Sequence, residues 1–411
     1  MIPKVADFSD KMMLKIREQG RGADSEWEGS GRTTPERSRA GDMKNREEEW
    51  MKPVQMTCAV AGMAAAIFVG WSAFAQAPAP AGPTALNPWV ALAPFPEGAE
   101  EVLGATVDGK LYVLCGLGPA FKPLGFVYEF SPATNAWTKK KPMALPAHHV
   151  AFATLNDKIY AFGGFNLPAS GPPAWNPLDN AWEYDPATDS WKALAPMPTK
   201  RGAAGAAVVN GKIYVVGGAA SLPGVTENGV HPARPHNVLA TVEEYDPATN
   251  TWRARRPMLV ARNHHGVAAV GDRLYAIGGR IGAAFISNGS NNIDLVEMYD
   301  PAADMWTVRD KMPTRRSAIG AVVYAGKIIV PGGEFQDRRE LAAFRAVEMY
   351  DPAVNRWQIL PSMPHPRHGL AVGVVGDRLY AVSGDGQSAA SGIEHSAVNF
   401  NEALQLDLVV K

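Results

Sequence analysis

Four arginines recur at one position of a repeating pattern. In each of these repeats, an apolar residue lies twenty residues before a double glycine or its equivalent, and the arginine follows that apolar residue by four positions. The four arginines are Arg201, Arg262, Arg316 and Arg367. A guanidinium group donates two parallel hydrogen bonds to a carboxylate or phosphate. If the four converge on the mouth of a central channel, they predict a site for an acidic small molecule, glycan or protein segment. Each arginine can equally bond carbonyl groups of neighbouring loops, and both interpretations stay open.

Histidines lie beside these arginines and are further candidates for ligand binding. The candidates are His149, His264, His265 and His368, and His148 precedes the first of them. Adjacent histidines on a strand point to opposite faces, so each pair offers at most one ligand toward a common centre. The sequence lacks the Cys/His or carboxylate spacing of a known metal site. We therefore predict no metal and no cofactor.

Other reactive side chains give weaker signals. Trp175 lies in a Pro-rich loop, where it can stack on a sugar ring or pack against its own loop. Glu334, Asp337, Glu340 and the histidines are candidate acid/base groups, but nothing in their spacing holds a pair at working distance. No catalytic residue is therefore assigned. Cys115 is predicted to be a buried, inert thiol.

These residues belong to a unit of about fifty residues that recurs six times. Five units contain an aromatic residue followed seven positions later by tryptophan, and a sixth tryptophan, Trp89, precedes the first unit. Successive tryptophans are 48, 54, 61, 54 and 51 residues apart. Within a unit, short apolar runs flank turn signals such as Asn210-Gly211, which is typical of a β-hairpin. The pattern predicts an all-β protein built from six similar sheets.

The last unit lacks the terminal tryptophan strand that the other units have. The segment from Pro88 to Leu92, with Trp89, matches the missing strand and follows the predicted linker. We expect this segment to pair with the third strand of the last unit, Ala403 to Leu408. Such pairing closes the ring and removes both open sheet edges.

This repeat resembles the kelch family over roughly residues 87–410, and the resemblance implies a six-bladed β-propeller. Adaptor-type kelch domains hold acidic peptide motifs with arginines at this repeat position, which implies that role for the four arginines above. Periplasmic sialic-acid mutarotases are also six-bladed kelch propellers with an export signal. Galactose-oxidase-like enzymes are excluded, because Cys115 lies on an inner strand and the chain has no room for their extra domains.

One face of the predicted propeller carries the variation in loop length. The variable segments are 165–180, 219–240, 280–294, 334–345 and 384–402. They share that face with the recurrent arginines and all nine histidines, including His231, His236, His365 and His395. Binding residues concentrate on variable loops held by a rigid scaffold, so we predict that this face binds the ligand.

The N-terminal region divides into segments of different composition. Residues 1–50 are a charged extension, predicted either to be disordered or to be mis-assigned because the start codon was placed too far upstream. Residues 51–75 have the layout of a signal peptide, and a signal anchor is the alternative. Residues 76–86 form an Ala/Pro linker, and 87–411 form the propeller. The propeller is therefore predicted to be periplasmic or secreted, with membrane contact only if the signal segment is uncleaved.

Composition narrows the class of partner. The chain has 40 Lys and Arg against 41 Asp and Glu, so no overall charge attracts nucleic acid. We expect a monomer. Three functions stay open: a non-catalytic binding module, a mutarotase-like carbohydrate isomerase, and a structural or assembly protein of the cell envelope. The first is favoured, so the chain is not predicted to be an enzyme.

Overall fold

A computed structural model of the protein describes residues 88–410, except 120–121, 171–173, 225–228, 231–234, 285–289, 338–339 and 389–396. The predicted extension, signal segment and linker lie outside the described residues. Thirty β-strands are assigned. Across the described ranges, no helix is long and apolar enough to cross a membrane.

Six antiparallel sheets of four strands form the blades, confirming the predicted six-bladed β-propeller. Blade 1 contains β2 (Glu100–Val107), β3 (Lys110–Gly118), β4 (Lys122–Ser131) and β5 (Ala136–Lys139). Blade 2 contains β6 (Ala151–Leu155), β7 (Lys158–Phe162), β10 (Ala181–Asp185) and β11 (Ser190–Ala193). Blade 3 contains β12 (Gly205–Val209), β13 (Lys212–Val216), β16 (Val242–Asp246) and β17 (Thr251–Arg255).

The other three blades repeat this strand order. Blade 4 contains β18 (Gly266–Val270), β19 (Arg273–Ile277), β20 (Val296–Asp300) and β21 (Met305–Arg309). Blade 5 contains β22 (Val322–Tyr324), β23 (Lys327–Pro331), β26 (Val347–Asp351) and β27 (Arg356–Leu360). Blade 6 contains β28 (Ala371–Val375), β29 (Arg378–Val382), β30 (Asn401–Gln405) and β1 (Trp89–Ala91).

Three short hairpins occupy connections between the second and third strands. They are β8 (Phe165–Asn166) with β9 (Asn176–Pro177), β14 (Ala219–Ala220) with β15 (Asn237–Val238), and β24 (Glu334–Gln336) with β25 (Leu341–Ala343). Connections in an antiparallel meander alternate between its two ends. These hairpins therefore share one end with the connections that lead from one blade to the next, which we call the loop face.

Turn chemistry sets the register of the blade strands. Asn210 and Gly211 both have positive φ, 50° and 71°, as a two-residue hairpin requires, and Val209 pairs with Lys212 across them. Gly217 also has positive φ, and a Cβ there would lie 2.6 Å from the Arg262 carbonyl oxygen. The chain therefore needs glycine where two blades meet.

The recurrent tryptophans join each blade to the chain segment that enters it. Each lies across its sheet from the aromatic residue that precedes it, with ring centroids 4.8–5.2 Å apart. Each indole also donates a hydrogen bond to a carbonyl in the chain that enters its blade. The five pairs are Trp137–Ala93, Trp191–Lys141, Trp252–Ala195, Trp306–Arg256 and Trp357–Asp310.

The predicted ring closure is also present. Trp89 pairs with Leu404 and Ala91 with Glu402, so β1 is the fourth strand of blade 6. The Trp89 indole donates a 2.9 Å hydrogen bond to the Pro361 carbonyl oxygen. The first described strand thus makes the same inter-blade bond as the other tryptophans, and the sheet of blade 6 is complete.

Candidate functional site

The four recurrent arginines are buried in the blades, so the expectation that they face the channel mouth is wrong. Arg201, Arg262, Arg316 and Arg367 each have 0% exposed surface. Each contacts a glutamate on the third strand of its own blade. The pairs are Arg201–Glu243 at 2.9 Å, Arg262–Glu297, Arg316–Glu348 at 2.5 Å, and Arg367–Glu402 at 2.6 Å.

Backbone carbonyl groups accept further hydrogen bonds from these arginines. Arg316 donates to the carbonyl oxygens of Gly332 and Val330 at 2.6 and 2.8 Å. Burial lowers the pKa of Arg201 to about 10, and the Glu243 charge opposes that change. These guanidinium groups hold adjacent strands together, which is the second of the two roles the sequence left open. No exposed donor surface is left on them for an acidic ligand.

The aligned units contain a signal for this pairing that was overlooked. Glu243, Glu297, Glu348 and Glu402 occupy one third-strand position, and only the four units with arginine have glutamate there. Units 1 and 2 have alanine in place of the arginine, and Tyr128 and Trp182 in place of the glutamate. Arginine before the first strand thus occurs only in units that have glutamate on the third strand.

A ring of equivalent residues surrounds the central channel, two positions after the arginine position. Its members are Glu101, His149, Ala203, His264, Ala318 and Gly369. All six have positive φ, between 50° and 55°. Backbone hydrogen bonds of 2.9–3.1 Å run from Ala203 N to His149 O, His264 N to Ala203 O, Ala318 N to His264 O, and Gly369 N to Ala318 O. We call this ring the collar.

The collar borders a cavity of about 150 Å³ inside the channel. Below it, the first strands contribute small or apolar residues such as Gly205, Val267 and Val372. Glu101 and His149 face one another across adjacent blades, with Oε2 and Nε2 3.3 Å apart. The described part of the channel therefore combines an apolar wall with a polar group of side chains on the collar.

The metal-binding atoms of Glu101, His149 and His264 all lie within 4.8 Å of one another. No metal site was predicted from the sequence, because these three residues come from different units and do not have the spacing of a known site along the chain. Burial by itself would raise the pKa of Glu101, but His149, His368 and Arg280 lower it to about 2. Glu101 is therefore a carboxylate at neutral pH.

A buried polar network adjoins the collar on blades 4–6. Arg280 donates to Glu334 Oε1 at 2.9 Å and lies 2.8 Å from His264 Nε2. Asn263 Oδ1 is 2.7 Å from His264 Nδ1, so Nδ1 carries the proton and donates it. His368 Nε2 lies 3.5 Å from Glu334 Oε2. His264 thus lies next to a positive charge, Arg280, and His368 next to a negative charge, Glu334.

These charges shift the two pKa values in opposite directions. Burial lowers the pKa of His264 well below its usual value, and Arg280 lowers it further. Burial would also lower the pKa of His368, but Glu334, Glu100, Glu101 and Asp385 raise it above its usual value. His264 is therefore neutral at pH 7. The network thus places four carboxylates near His368, one of which also pairs with Arg280.

Sequence analysis missed Arg280 and Asp385, although their position in the repeat is regular. Arg280, Glu334 and Asp385 each directly follow the second glycine of their unit. Units 1–3 have Leu117, Phe165 and Ala219 there. Because that position adjoins the collar, its charged members in units 4–6 and its apolar members in units 1–3 give the loop face two chemically different halves.

The apolar half contains Trp175, which was predicted as a ligand-binding residue. Trp175 is only 5% exposed and stacks on Phe165, with ring centroids 5.5 Å apart. Its backbone pairs with Val230, and its ring also contacts His148 and His149. Trp175 packs within a cluster that also includes Leu117 and Ala219, so packing is the one of its two predicted roles that the structure supports.

The remaining predicted side chains are dispersed. His265 is buried near Arg262, and burial lowers its pKa to about 3. His368 belongs to the buried network, and Cys115 is a buried free thiol, as predicted. Asp337 and Glu340 bond one another within the β24–β25 connection. His231 and His395 lie outside the described residues.

The rim of the loop face carries exposed apolar side chains. Leu167, Leu222, Ile281 and Leu341 lie on the second-to-third connections of four consecutive blades, 2 to 5. Their exposed fractions are 38%, 41%, 48% and 48%. Isolated exposed leucines are ordinary, but here four consecutive blades each carry one exposed apolar side chain on the same connection, and we call these four the apolar rim.

Comparisons with known proteins match this architecture. Residues 93–279 match a family described as the KLHDC2/KLHL20/DRC7 Kelch-repeats domain, and residues 261–313 and 315–364 each match the Kelch motif. Kelch-like protein terF of Aspergillus terreus is 29% identical over 277 residues, 66% of this chain and 57% of its own length. Kelch-like protein 15 of Danio rerio is 28% identical over 289 residues, 65% of this chain and 44% of its own.

A solved structure titled "Structure of YjhT" has a TM-score of 0.60 at 18% identity, covering 75% of this chain and 95% of that one. At that identity the likeness concerns the fold. The chain spans about half the length of the two curated relatives above. The matched kelch segments, the six repeats and the propeller lead to one conclusion. The chain belongs to the kelch repeat family.

Proposed function

We propose that this chain is a protein-binding module that engages an apolar segment of a partner protein on its loop face. The kelch propeller fold supports a protein partner. The observation that carries the proposal is the apolar rim formed by Leu167, Leu222, Ile281 and Leu341. Fully burying one such side chain contributes roughly 1.5–3 kcal/mol, so several contacts together support a specific complex.

An acidic ligand is not part of this proposal. The arginines that motivated it are buried and paired with glutamates. The polar network under the loop face also contains more carboxylates than cations. These carboxylates disfavour the binding of a negatively charged ligand nearby. An apolar segment, with neutral or basic flanking residues, suits this surface better.

Site-specific photo-crosslinking tests which face binds. A photoreactive residue at Leu222 or Leu341 should capture the same partner in the source cells. The matched control position is Ile359, on an outermost strand and 72% exposed. We expect no capture of that partner from Ile359. Equal capture from Ile359 would contradict the assignment to the loop face.

Binding of the purified partner then measures the contribution of the rim. Leu222→Ser with Leu341→Ser should weaken the affinity at least about 10-fold, since each change removes apolar contact. Ile359→Ser with Val354→Ser changes more exposed apolar residues elsewhere and should leave the affinity unchanged. An unchanged affinity in the loop-face variant would refute the proposed surface.

We also propose that the propeller is exported. Support comes from the sequence of residues 51–75, with its basic start, apolar centre and small residues before Gln76. Cell fractionation and N-terminal sequencing test this proposal. A mature N-terminus at Gln76 outside the cytoplasm is expected after cleavage, and an intact chain in the membrane fraction would indicate the signal anchor. Soluble cytoplasmic protein that begins at residue 1 would contradict export.

A further inference from the structure

The collar contains three potential metal ligands on one ring of equivalent residues. Glu101, His149 and His264 come from blades 1, 2 and 4, and all three border the channel cavity. Their backbones share the same left-handed conformation, so the repeat presents three side chains at equivalent places. Two imidazoles and one carboxylate form a donor set that suits divalent transition metals.

The distances are compatible with a common ligand. Glu101 Oε2 and His149 Nε2 lie 3.3 Å apart, close to the edge of about 3.4 Å in a tetrahedron with metal–ligand bonds of about 2.1 Å. The three donor atoms fall within 4.8 Å of one another. The donor of His264 therefore has to move toward the other two for all three to bond one cation.

Neighbouring side chains orient the donor nitrogens. His264 Nδ1 is bonded to Asn263 Oδ1 at 2.7 Å, which leaves the lone pair on Nε2. His149 Nδ1 contacts His148 Nδ1, so its Nε2 faces Glu101. Metal-binding histidines usually use one ring nitrogen for the metal and the other for such a contact. Both histidines already meet this condition.

Charge in the network also bears on a cation. Arg280 lies 2.8 Å from His264 Nε2 and opposes a second positive charge, but it also pairs with Glu334 at 2.9 Å. Arg280 can retain its ion pair with Glu334 when His264 binds a metal. Glu100, Glu101 and Asp385 place three more carboxylates near His368, and these favour a cation electrostatically.

We propose that Glu101, His149 and His264 together bind one divalent transition-metal cation at the collar. Ala203, Ala318 and Gly369 complete the ring without bulky side chains, and the adjoining cavity of about 150 Å³ has room for water ligands. A cation held by three side chains keeps open coordination positions toward that cavity. This site is separate from the apolar rim and does not depend on the proposed protein partner.

Titration of the full chain with Co²⁺, after removal of metals with EDTA, tests the site. We expect one Co²⁺ per chain, the visible absorption of four- or five-coordinate Co²⁺, and displacement by Zn²⁺. Loss of a residue that only orients a ligand costs 10–100-fold in affinity, so Glu101→Gln and His149→Gln should each cost at least about 100-fold. His365→Gln alters a half-exposed histidine away from the collar and should bind like the wild type.

The absence of saturable Co²⁺ binding, or equal affinity in the wild type and Glu101→Gln, would overturn the proposal. Unfolding midpoints show whether each variant is folded. If Glu101→Gln and His149→Gln do not fold, Ala318→His supplies a second test. His149 and His264 already hold the same backbone conformation, so histidine is tolerated at a collar position. This added ligand should tighten Co²⁺ binding at least about 10-fold, and unchanged affinity would contradict the site.

Discussion

In four blades a buried arginine and a buried glutamate form one structural unit. Glu348 accepts a hydrogen bond from Arg316 while also bonding the hydroxyl of Thr314 at 2.7 Å. Removing two charges from water is costly, and their attraction repays that cost only when geometry and additional hydrogen bonds are good. The carbonyl groups around Arg316 supply those bonds. Such a pair fixes the arrangement of strands more than it adds net stability.

We predict that Arg316→Met strongly destabilises the protein, because it leaves Glu348 buried without its cation. Breaking a buried pair on one side costs about 3–5 kcal/mol. The adjacent Arg315 is exposed, so Arg315→Met should change stability by no more than about 0.5 kcal/mol. Denaturant unfolding of the two variants measures the difference. Equal stability of both variants would show that Arg316 does not have this structural role.

The same residues show how far sequence reasoning reached at this scale. It placed the four arginines in register and expected them to converge on the channel mouth, because it did not compare their position with residues on the third strands. Burial depends on a partner 32–42 residues later in the chain, as Arg316–Glu348 and Arg201–Glu243 illustrate. Glu101 was missed for a related reason. It shares its repeat position with His149 and His264, but four different residue types in six units do not form a recognisable motif.

In blades 2 to 5, a cation at the start of the second strand pairs with an aspartate at the end of the third. Lys158–Asp185 and Lys212–Asp246 have N–O distances of 2.6 Å. Asp246 also accepts a 3.0 Å hydrogen bond from the backbone of Ala248 in the following turn. One aspartate thus joins the second strand to the turn before the fourth strand.

This pairing predicts a particular pH dependence for Lys212→Met. The hydrogen bond from Lys212 lowers the pKa of Asp246 below its usual 3.8 in the folded protein. A lowered folded pKa adds stability above the unfolded pKa, and that stability is lost as pH falls through the folded pKa. Lys212→Met should therefore lower the unfolding midpoint at pH 6, with the difference shrinking below about pH 3.8. The effect should be small and sensitive to salt, since the pair is exposed.

Lys192→Met is the matched control, because Lys192 is exposed on the outermost strand β11. Its unfolding midpoint should follow that of the wild type across the same pH range. A Lys212→Met deficit that is as large at pH 2 as at pH 6 would show that packing, and not charge pairing with Asp246, is responsible.

Blade strands were predictable, but the short hairpins of the loop face were not. A five-residue strand such as β13 carries β-branched and apolar residues next to Asn-Gly, which is a strong local signal. The hairpin strands β8, β9, β14 and β15 contain two residues each, too few to show a period. They form because the ends of the adjacent blade strands hold them together. Loop length therefore predicted which face carries the variable connections, but not the structures on it.

The whole propeller depends on each blade bonding the chain segment that enters it. Five tryptophans make this contact within the continuous chain, and Trp89 makes it across the ring closure. Trp89 and Pro361 are separated by 272 residues, so this bond forms only when the ring is nearly complete. The sequence predicted the closure because the last unit lacked one strand and the segment after the linker matched it.

Comparing Trp89→Ala with Trp306→Ala tests whether closure differs from an ordinary inter-blade contact. Both indoles are similarly buried, 6% and 5% exposed, and each donates a 2.9 Å hydrogen bond to a carbonyl oxygen. Replacing a buried tryptophan by alanine costs about 3–5 kcal/mol, so both variants should lose similar stability in denaturant. Only Trp89→Ala should release β1, because that strand has no chain connection to the rest of blade 6.

Native-state hydrogen exchange separates the two outcomes. Release of β1 leaves β30 as an edge strand, so amides of Ala403 and its neighbours should exchange faster in Trp89→Ala than in Trp306→Ala. Val90→Ser changes a residue of β1 that is 47% exposed and should leave that exchange unchanged. If Trp89→Ala and Trp306→Ala protect β30 equally, the closing strand is held mainly by its backbone ladder. The tryptophan would then stabilise the packing between blades without securing the ring.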